Sequence, residues 1–217
     1  MNINYLLTLA NDVIQNANIK WAVCGGFALD LFLGREIRNH SDIDICVFEK
    51  DRDVILKYML QNNWNLYEFR GNGKVRPLNI TSSSEVGRNL MCIKGECDIV
   101  KFYPCEDANL LWYEFFHTGI KELNYLEFLF NIANEEYFIF NKEQGIQREL
   151  SKAILFNDNI PFLAPEIVLL YKSSRSENRE YHYDFEQTYP YMNDEQKEWF
   201  NQNLNVLHPD GHIWKIQ

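Results

Sequence analysis

Two aspartates separated by one residue, Asp42 and Asp44, are the side chains in this sequence best placed to do chemistry. Side chains alternate along a strand, so both carboxylates are predicted to project from one face of a strand. Their apolar neighbours point the other way, into a core: Ile43, Ile45 and Val47. Two carboxylates held side by side repel each other, and a divalent cation removes that repulsion. Hard oxygen ligands suit Mg²⁺ or Mn²⁺.

A pair of glycines, Gly25 and Gly26, provides a candidate phosphate site upstream of the aspartates. Glycine lets backbone N–H groups come close to a ligand and permits φ values that other residues avoid. The pair lies where a helix is predicted to begin, and a helix N-terminus attracts anions. Arg35 and Arg38 follow in the next loop and can add charge-assisted contacts. The pattern predicts phosphate held by backbone donors and metal held by the paired acids.

The order Gly25-Gly26 and then Asp42-Ile-Asp44 resembles the signature of the nucleotidyltransferase superfamily with a polymerase-beta-like catalytic fold. The surrounding residues look closer to its antibiotic-modifying branch, the aminoglycoside and lincosamide adenylyltransferases: Ala28-Leu-Asp30, Gly34-Arg35 and Arg38-Asn-His40-Ser-Asp42. An Asp-x-Asp pair alone is weak evidence. The glycine pair upstream and the apolar strands on both sides make the motif specific.

The resemblance implies a third catalytic carboxylate from a neighbouring strand, and Asp98 is the expected residue. It stands in the apolar segment Cys97-Asp98-Ile-Val-Lys-Phe, where an unpaired carboxylate would be costly. Asp98 is therefore expected to bind metal, to accept the proton of the attacking hydroxyl, or both. Glu96, two residues earlier, is the rival for this role.

Five residues are expected to hold a triphosphate: Gly25, Gly26, Arg38, Ser41 and Lys172. Lys172 falls near the end of a helix that Pro165 is predicted to begin. This segment, followed after a polar gap by Asp184, resembles the C-terminal helical part of the same family. That resemblance favours a phosphate contact for Lys172 over a role at the helix dipole alone. Whether Asp184 orients Lys172 stays open.

The rest of the sequence predicts the elements that position these residues. The expected fold class is α/β (α+β): a polymerase-beta-like mixed sheet with flanking helices in residues 1–143, and a helical C-terminal subdomain in residues 144–217. Helices are predicted at 3–17, 49–60, 106–118, 165–172 and 195–204, and loops at 81–84 and 173–180. The aromatic side chains of 106–118 are expected to pack in the core rather than to form a shelf for a base or sugar.

Composition narrows the class of protein and of partner. The 217 residues are 46% hydrophobic and 24% charged, which is typical of a globular protein, and no run approaches a membrane span, so a cytoplasmic location is expected. The five cysteines lack CxxC spacing and are expected to be reduced. A net charge of −10 counts against nucleic acid as the substrate and suits a small cationic acceptor. The oligomeric state stays open.

The predicted reaction is metal-dependent transfer of AMP from ATP to a hydroxyl of a small acceptor, with two Mg²⁺ ions, or Mn²⁺ in their place. The resemblance implies an aminoglycoside-type antibiotic, with a lincosamide as an alternative. A toxin-like nucleotidyltransferase that modifies RNA or protein is a further alternative. The last alternative is a protein that binds nucleotides and has no catalytic turnover.

Overall fold

The computed structural model describes residues 5–79, 86–116 and 120–215, which group into two compact units. One unit contains Ala22–Arg38 and the described residues from Ile132 onward. The other contains the described residues of 4–21 together with those of 39–131. Each unit is therefore assembled from separate stretches of chain, whereas the sequence predicted a single boundary after residue 143. The loop predicted at 81–84 lies outside the described residues.

The helices lie towards the two ends of the described chain, and a long run of strands lies between them. The helices are α1 (Tyr5–Ile14), α2 (Gly25–Leu33), α3 (Arg52–Gln61), α4 (Leu150–Ala153), α5 (Pro165–Lys172), α6 (Arg179–Thr188) and α7 (Asp194–Leu207). The strands are β1 (Trp21–Val23), β2 (Asp44–Phe48), β3 (Asn65–Gly71), β4 (Lys74–Leu78), β5 (Leu90–Ile93), β6 (Val100–Pro104), β7 (Leu111–Phe115), β8 (Tyr125–Ala133), β9 (Tyr137–Ile139), β10 (Gln147–Glu149), β11 (Ile154–Asn157) and β12 (Ile160–Leu163). Within the described ranges, every helix is too short or too polar to cross a bilayer.

In the unit that contains residues 39–131, seven strands form a mixed sheet in the order β2-β8-β5-β3-β4-β7-β6. β2 and β8 are parallel, and every later pair along this order is antiparallel. α3 packs against β3 and buries Ile55, Leu56 and Met59. The predicted polymerase-beta-like mixed sheet with flanking helices is confirmed.

In the other unit, β1 runs parallel to β12, and β11 and β12 form an antiparallel hairpin. α5 packs against α2, α6 and α7 and is almost wholly buried. Glu166 in its first turn is fully buried and accepts hydrogen bonds from Arg148 and Gln196. The chain thus stabilises the start of α5 with a buried ion pair, because an unpaired carboxylate there would be costly.

Several local predictions are confirmed, and two, the helix at 106–118 and the loop at 173–180, are wrong. Helices begin at Gly25 and Pro165 as expected, and α7 starts with a capping box of Asn193 and Gln196. The region after residue 144 contains three strands before its first long helix. Residues 111–115 form a strand instead of a helix, and 173–180 form a 3₁₀ turn and the start of α6 instead of a loop. The strands depend on partners elsewhere in the chain, which a local pattern does not reveal.

Candidate active site

The glycine pair lies at the start of α2. Gly25 has a φ of 65°, in the left-handed region that glycine adopts without a Cβ clash. The first N–H groups of a helix have no partner within the helix, and they carry the positive end of its dipole. This part of the predicted phosphate site is therefore formed by the backbone of α2, with both glycines half-buried.

A buried ion network joins two of the predicted phosphate-binding cations. Arg38 donates to both carboxylate oxygens of Asp184, with Nε–Oδ1 and Nη2–Oδ2 distances of 2.8 and 3.1 Å. Lys172 Nζ lies 2.9 Å from Asp184 Oδ2. Burial acts to raise the pKa of Asp184, but its bonds with Arg38 and Lys172 outweigh burial and lower the pKa. Asp184 therefore orients both cations, which answers the question that the sequence left open for Lys172.

One further carboxylate, Glu180, and one further cation, Arg35, lie in this part of the chain. The exposed Glu180 carboxylate lies 3.4 Å from Nη1 of Arg38, so it partly balances that guanidinium. Arg35 does not join the network; it is exposed and donates to Gln187 at 3.2 Å. The buried Asp30 carboxylate also acts on Arg38, so three carboxylates, those of Asp184, Glu180 and Asp30, stabilise this guanidinium.

Asp184→Asn removes a buried carboxylate that Arg38 and Lys172 share, and we expect it to lower the free energy of unfolding at pH 7 by roughly 3–5 kcal/mol. Because the folded-state pKa of Asp184 is below its ordinary value of 3.8, its contribution is complete above that pH and is lost as the pH falls below it. Urea unfolding of both proteins from pH 7 down through pH 3.8 measures the difference, which should shrink only in acid. Glu180→Gln is the matched control, with an expected loss under about 1 kcal/mol. Equal losses for the two variants would contradict the assignment.

Three carboxylates gather where β2 and β8 begin. Asp44 is the first residue of β2, and Asp42 lies two residues before it; both are half-buried, while Ile43 between them is fully buried. Glu127 of β8 is the register partner of Asp44, and its N–H donates to the Ile43 carbonyl at 2.9 Å. Directly paired residues share a face of the sheet, so the Glu127 carboxylate lies on the Asp44 side.

The charges of this cluster act on one another. Burial, and then the negative charge of Asp42, raise the pKa of Glu127 to about 7, although the hydroxyl of Tyr125 donates to Oε1 of Glu127 and opposes the rise. Burial and the nearby carboxylates also raise the pKa of Tyr125, so its hydroxyl stays a donor. Asp42 and Asp44 both contribute to that shift. The charges of both aspartates therefore act on the hydroxyl of Tyr125.

The donor chemistry of this cluster fits a divalent cation. Asp42, Asp44 and Glu127 offer only carboxylate oxygens, which are the ligands that Mg²⁺ and Mn²⁺ prefer. A cation would also relieve the repulsion that raises the pKa of Glu127. No three His, Cys, Asp or Glu side chains in the described ranges already stand as a ligand set. The cluster therefore fits a divalent cation in the chemical type of its donor atoms and in its negative charge.

The structure places Asp98 differently from the prediction. β5 ends at Ile93 and β6 begins at Val100, so Asp98 lies in an exposed turn and not in an apolar strand. An exposed carboxylate has no desolvation cost for a metal to relieve, which removes the reason for choosing it. Asp98 lines a cavity of about 260 Å³ at this turn, together with Glu96, Ile99, Ile120, Lys121, Glu122 and Asn124. Ser41, also predicted, is half-buried in the bend just before Asp42.

Glu127 was missed, although the sequence carried a signal for it. Glu127 is flanked by Leu126 and Phe128 in an apolar strand. The sequence predicted the same kind of surroundings for Asp98. The prediction searched the next strand along the chain for the third acid. The strand that pairs with β2 begins instead at Tyr125, about eighty residues after Asp44. A parallel pair needs such a long crossover, so sequence distance was a poor guide.

The chain resembles the nucleotidyltransferases in part of its sequence and in its fold. A family model for aminoglycoside-2''-adenylyltransferases matches residues 6–96, which include the glycine pair, Asp42 and Asp44. No curated protein matches the chain. The predicted resemblance to the aminoglycoside and lincosamide adenylyltransferases is thereby confirmed, and so is the enzyme class.

Solved structures share this fold at low sequence identity. A crystal structure of ANT(2'')-Ia in complex with adenylyl-2''-tobramycin has a TM-score of 0.55 at 12% identity, covering 94% of this chain and 99% of its own. The lincomycin-bound crystal structure of the lincosamide antibiotic adenylyltransferase LnuA has a TM-score of 0.51 at 14% identity, covering 85% of this chain and 95% of its own. A similar fold therefore serves two chemically different acceptors.

Proposed function

We propose that this protein transfers AMP from ATP to a hydroxyl group of a small antibiotic-type acceptor, an aminoglycoside or a lincosamide. The observation that carries the proposal is the cluster of Asp42, Asp44 and Glu127 at the start of the parallel pair β2 and β8. It occurs in a chain whose residues 6–96 match an adenylyltransferase family.

The nucleotide would be held by two groups of residues. Asp42 and Asp44 would hold Mg²⁺, two ions being expected and Mn²⁺ being the alternative; bound there, the metal neutralises phosphate charge during the transfer. The N–H groups at Gly25 and Gly26 bind phosphate oxygens, which the helix dipole favours. Arg38 and Lys172, fixed by Asp184, and the hydroxyl of Ser41 add contacts to the triphosphate.

Glu127 replaces Asp98 as the proposed proton acceptor. As the acceptor oxygen bonds to the α-phosphorus of ATP, its proton passes to the Glu127 carboxylate. The bond between that phosphorus and the pyrophosphate oxygen breaks, and pyrophosphate leaves with the electron pair. Tyr125 positions Glu127 through the hydrogen bond to Oε1.

The test is pyrophosphate release from ATP in the presence of Mg²⁺ and one candidate acceptor at a time: tobramycin, lincomycin, bulk tRNA or no acceptor. We expect release that depends on one of the antibiotics, with a product heavier by one AMP in mass spectrometry. Chelation of the metal should stop the release, and added Mg²⁺ or Mn²⁺ should restore it. Release with tRNA alone, or release that no acceptor alters, would contradict the proposal.

A further inference from the structure

The face of the sheet that carries Glu127 continues into a row of aromatic side chains. Residues directly opposite each other on paired strands share a face. From Glu127 outward, the register connects Met91 on β5, Tyr67 and Phe69 on β3, Val75 on β4, Leu111 and Tyr113 on β7, and Phe102 on β6. We call the four half-buried rings Tyr67, Phe69, Phe102 and Tyr113 the aromatic face.

The sheet curls so that the rings of the aromatic face meet one another. Tyr67 on β3 stacks on Phe102 of β6 with 4.4 Å between ring centroids, although two strands lie between them in the sheet. Phe69 meets the edge of Tyr113 at 5.7 Å. The rings pack against a cluster of buried side chains: Val75, Met91, Ile93, Ile99, Val100 and Tyr125. The cluster is buried, whereas the four rings are partly exposed.

The aromatic face lies beside the proposed proton acceptor. Met91 on β5 is the register partner of both Glu127 and Tyr67, so one strand separates Tyr67 from Glu127 on this face. Burial, and then the negative charge of Glu127, raise the pKa of Tyr113. Tyr125, which donates to Glu127, packs edge-on against Phe115 at 5.5 Å, next to Tyr113 on the same strand face. A molecule whose hydroxyl reaches Glu127 therefore contacts this face.

The aromatic face carries two hydroxyl groups that could form hydrogen bonds with a ligand. Among the described residues, the hydroxyls of Tyr67 and Tyr113 form no hydrogen bond, unlike those of Tyr103 and Tyr125. Burial raises the pKa of Tyr67, which shows that its hydroxyl is partly removed from water. A hydroxyl in that situation is stabilised by a ligand that supplies a hydrogen bond.

The aromatic face carries no charge of its own. At the described register positions of β5, β3, β4, β7 and β6, the charged residues lie on the opposite face: Glu68, Arg70, Lys74, Arg76, Lys101 and Glu114. A polyamine needs several carboxylates to offset the loss of its hydration. The aromatic rings offer none, and they suit the apolar side of a sugar ring.

We propose that the aromatic face is the acceptor site and that it selects a glycoside with little charge. The apolar side of the sugar packs on the rings, its hydroxyls bond to Tyr67 and Tyr113, and one hydroxyl points to Glu127. This inference rests on the proposed adenylyl transfer. It narrows the acceptor to the less charged of the two antibiotic classes, with one amine at most.

Two acceptors that differ in their number of positive charges test the selectivity: lincomycin, which carries a single amine, and tobramycin, which is a polyamine. We expect kcat/KM for lincomycin to exceed that for tobramycin by about 10-fold or more, which corresponds to about 1.4 kcal/mol. Preference for tobramycin would overturn the inference even though adenylyl transfer itself would be supported.

Conservative variants test the residues. Tyr67→Phe and Tyr113→Phe keep the rings and remove one hydroxyl each, and each should raise KM for lincomycin by roughly 3- to 10-fold while KM for ATP stays unchanged. Tyr103→Phe is the matched control, because its hydroxyl bonds Glu114 on the opposite face; it should leave both constants unchanged. An unchanged KM for lincomycin in both test variants would overturn the inference.

Calorimetric binding of lincomycin separates the site from the chemistry, because it needs no turnover. Binding to the wild type that weakens in Tyr67→Phe and Tyr113→Phe supports the site even if no pyrophosphate is released, in which case only the proposed function fails. Absence of lincomycin binding to the wild type would overturn the inference.

Discussion

Asp44→Asn should lower kcat for adenylyl transfer by roughly 10³-fold or more, with the fold unchanged. Asparagine has nearly the same shape as aspartate, so β2 keeps its register with β8 and the Ile43–Glu127 backbone hydrogen bond stays in place. What the variant loses is one anionic oxygen ligand and one unit of the charge that a divalent cation would offset. The measurement is pyrophosphate release at saturating ATP and acceptor, with Mg²⁺ varied to detect weaker metal binding.

Asp53→Asn is the control for this variant. Asp53 is an exposed residue in the first turn of α3, so the same change of charge is made away from the carboxylate cluster. We expect its turnover and its thermal midpoint to stay close to those of the wild type. If Asp44→Asn also kept wild-type turnover, Asp44 would not be a metal ligand, and the proposed chemistry would need another site.

Glu127→Gln should lower kcat by roughly 10²- to 10⁴-fold, which is the usual contribution of a general base. Glutamine still accepts the hydrogen bond from Tyr125, and it removes a carboxylate that Asp42 repels, so we expect no loss of stability. Pre-steady-state measurement of the first turnover keeps a slow product release from hiding the effect.

Asp98→Asn is the variant that separates the two candidates for the third acid. The turn position of Asp98 predicts unchanged turnover, because the exposed carboxylate needs no partner. The opposite pattern, a loss in Asp98→Asn and wild-type turnover in Glu127→Gln, would restore the sequence-based choice. Comparable losses in both variants would mean that Glu127 is not the sole proton acceptor.

The two candidates for the third carboxylate, Asp98 and Glu127, show how much of the site the local sequence can predict. Asp98 and Glu127 each stand among apolar residues, and a buried carboxylate in such a context needs a partner. The sequence does not show that β5 stops at Ile93 and leaves Asp98 in a turn. Nor does it show that the β8 strand pairs with β2. Burial is a property of the folded sheet, so two similar local patterns place one carboxylate in an exposed turn and the other in a strand.

The aromatic segment shows the same limit. Leu111, Tyr113 and Phe115 alternate with outward-facing residues, but the segment is apolar almost throughout, so a helix and a strand fit its sequence about equally well. The segment forms a strand because it pairs with β4 and β6. This register places Tyr113 on the face of the sheet that carries Glu127. The register therefore supports the other interpretation of these aromatic side chains, in which they form a shelf for a sugar.

The sequence by itself determined the features that depend on neighbouring residues. These are the positive φ and helix start at Gly25, the shared side of Asp42 and Asp44, and the helix that Pro165 begins. They follow from backbone sterics and from strand alternation, which act over a few residues. The reaction class followed from the same motifs.

The tertiary structure alone decided which distant groups meet. Asp184 bonds to Arg38 across 146 residues of chain, and Glu127 pairs with Asp44 through a long crossover. Strand pairing and buried ion networks are selected by the free energy of the whole fold, because each buried charge must find a partner somewhere in it. No local pattern contains that information, because the partners in each pair are far apart in the sequence.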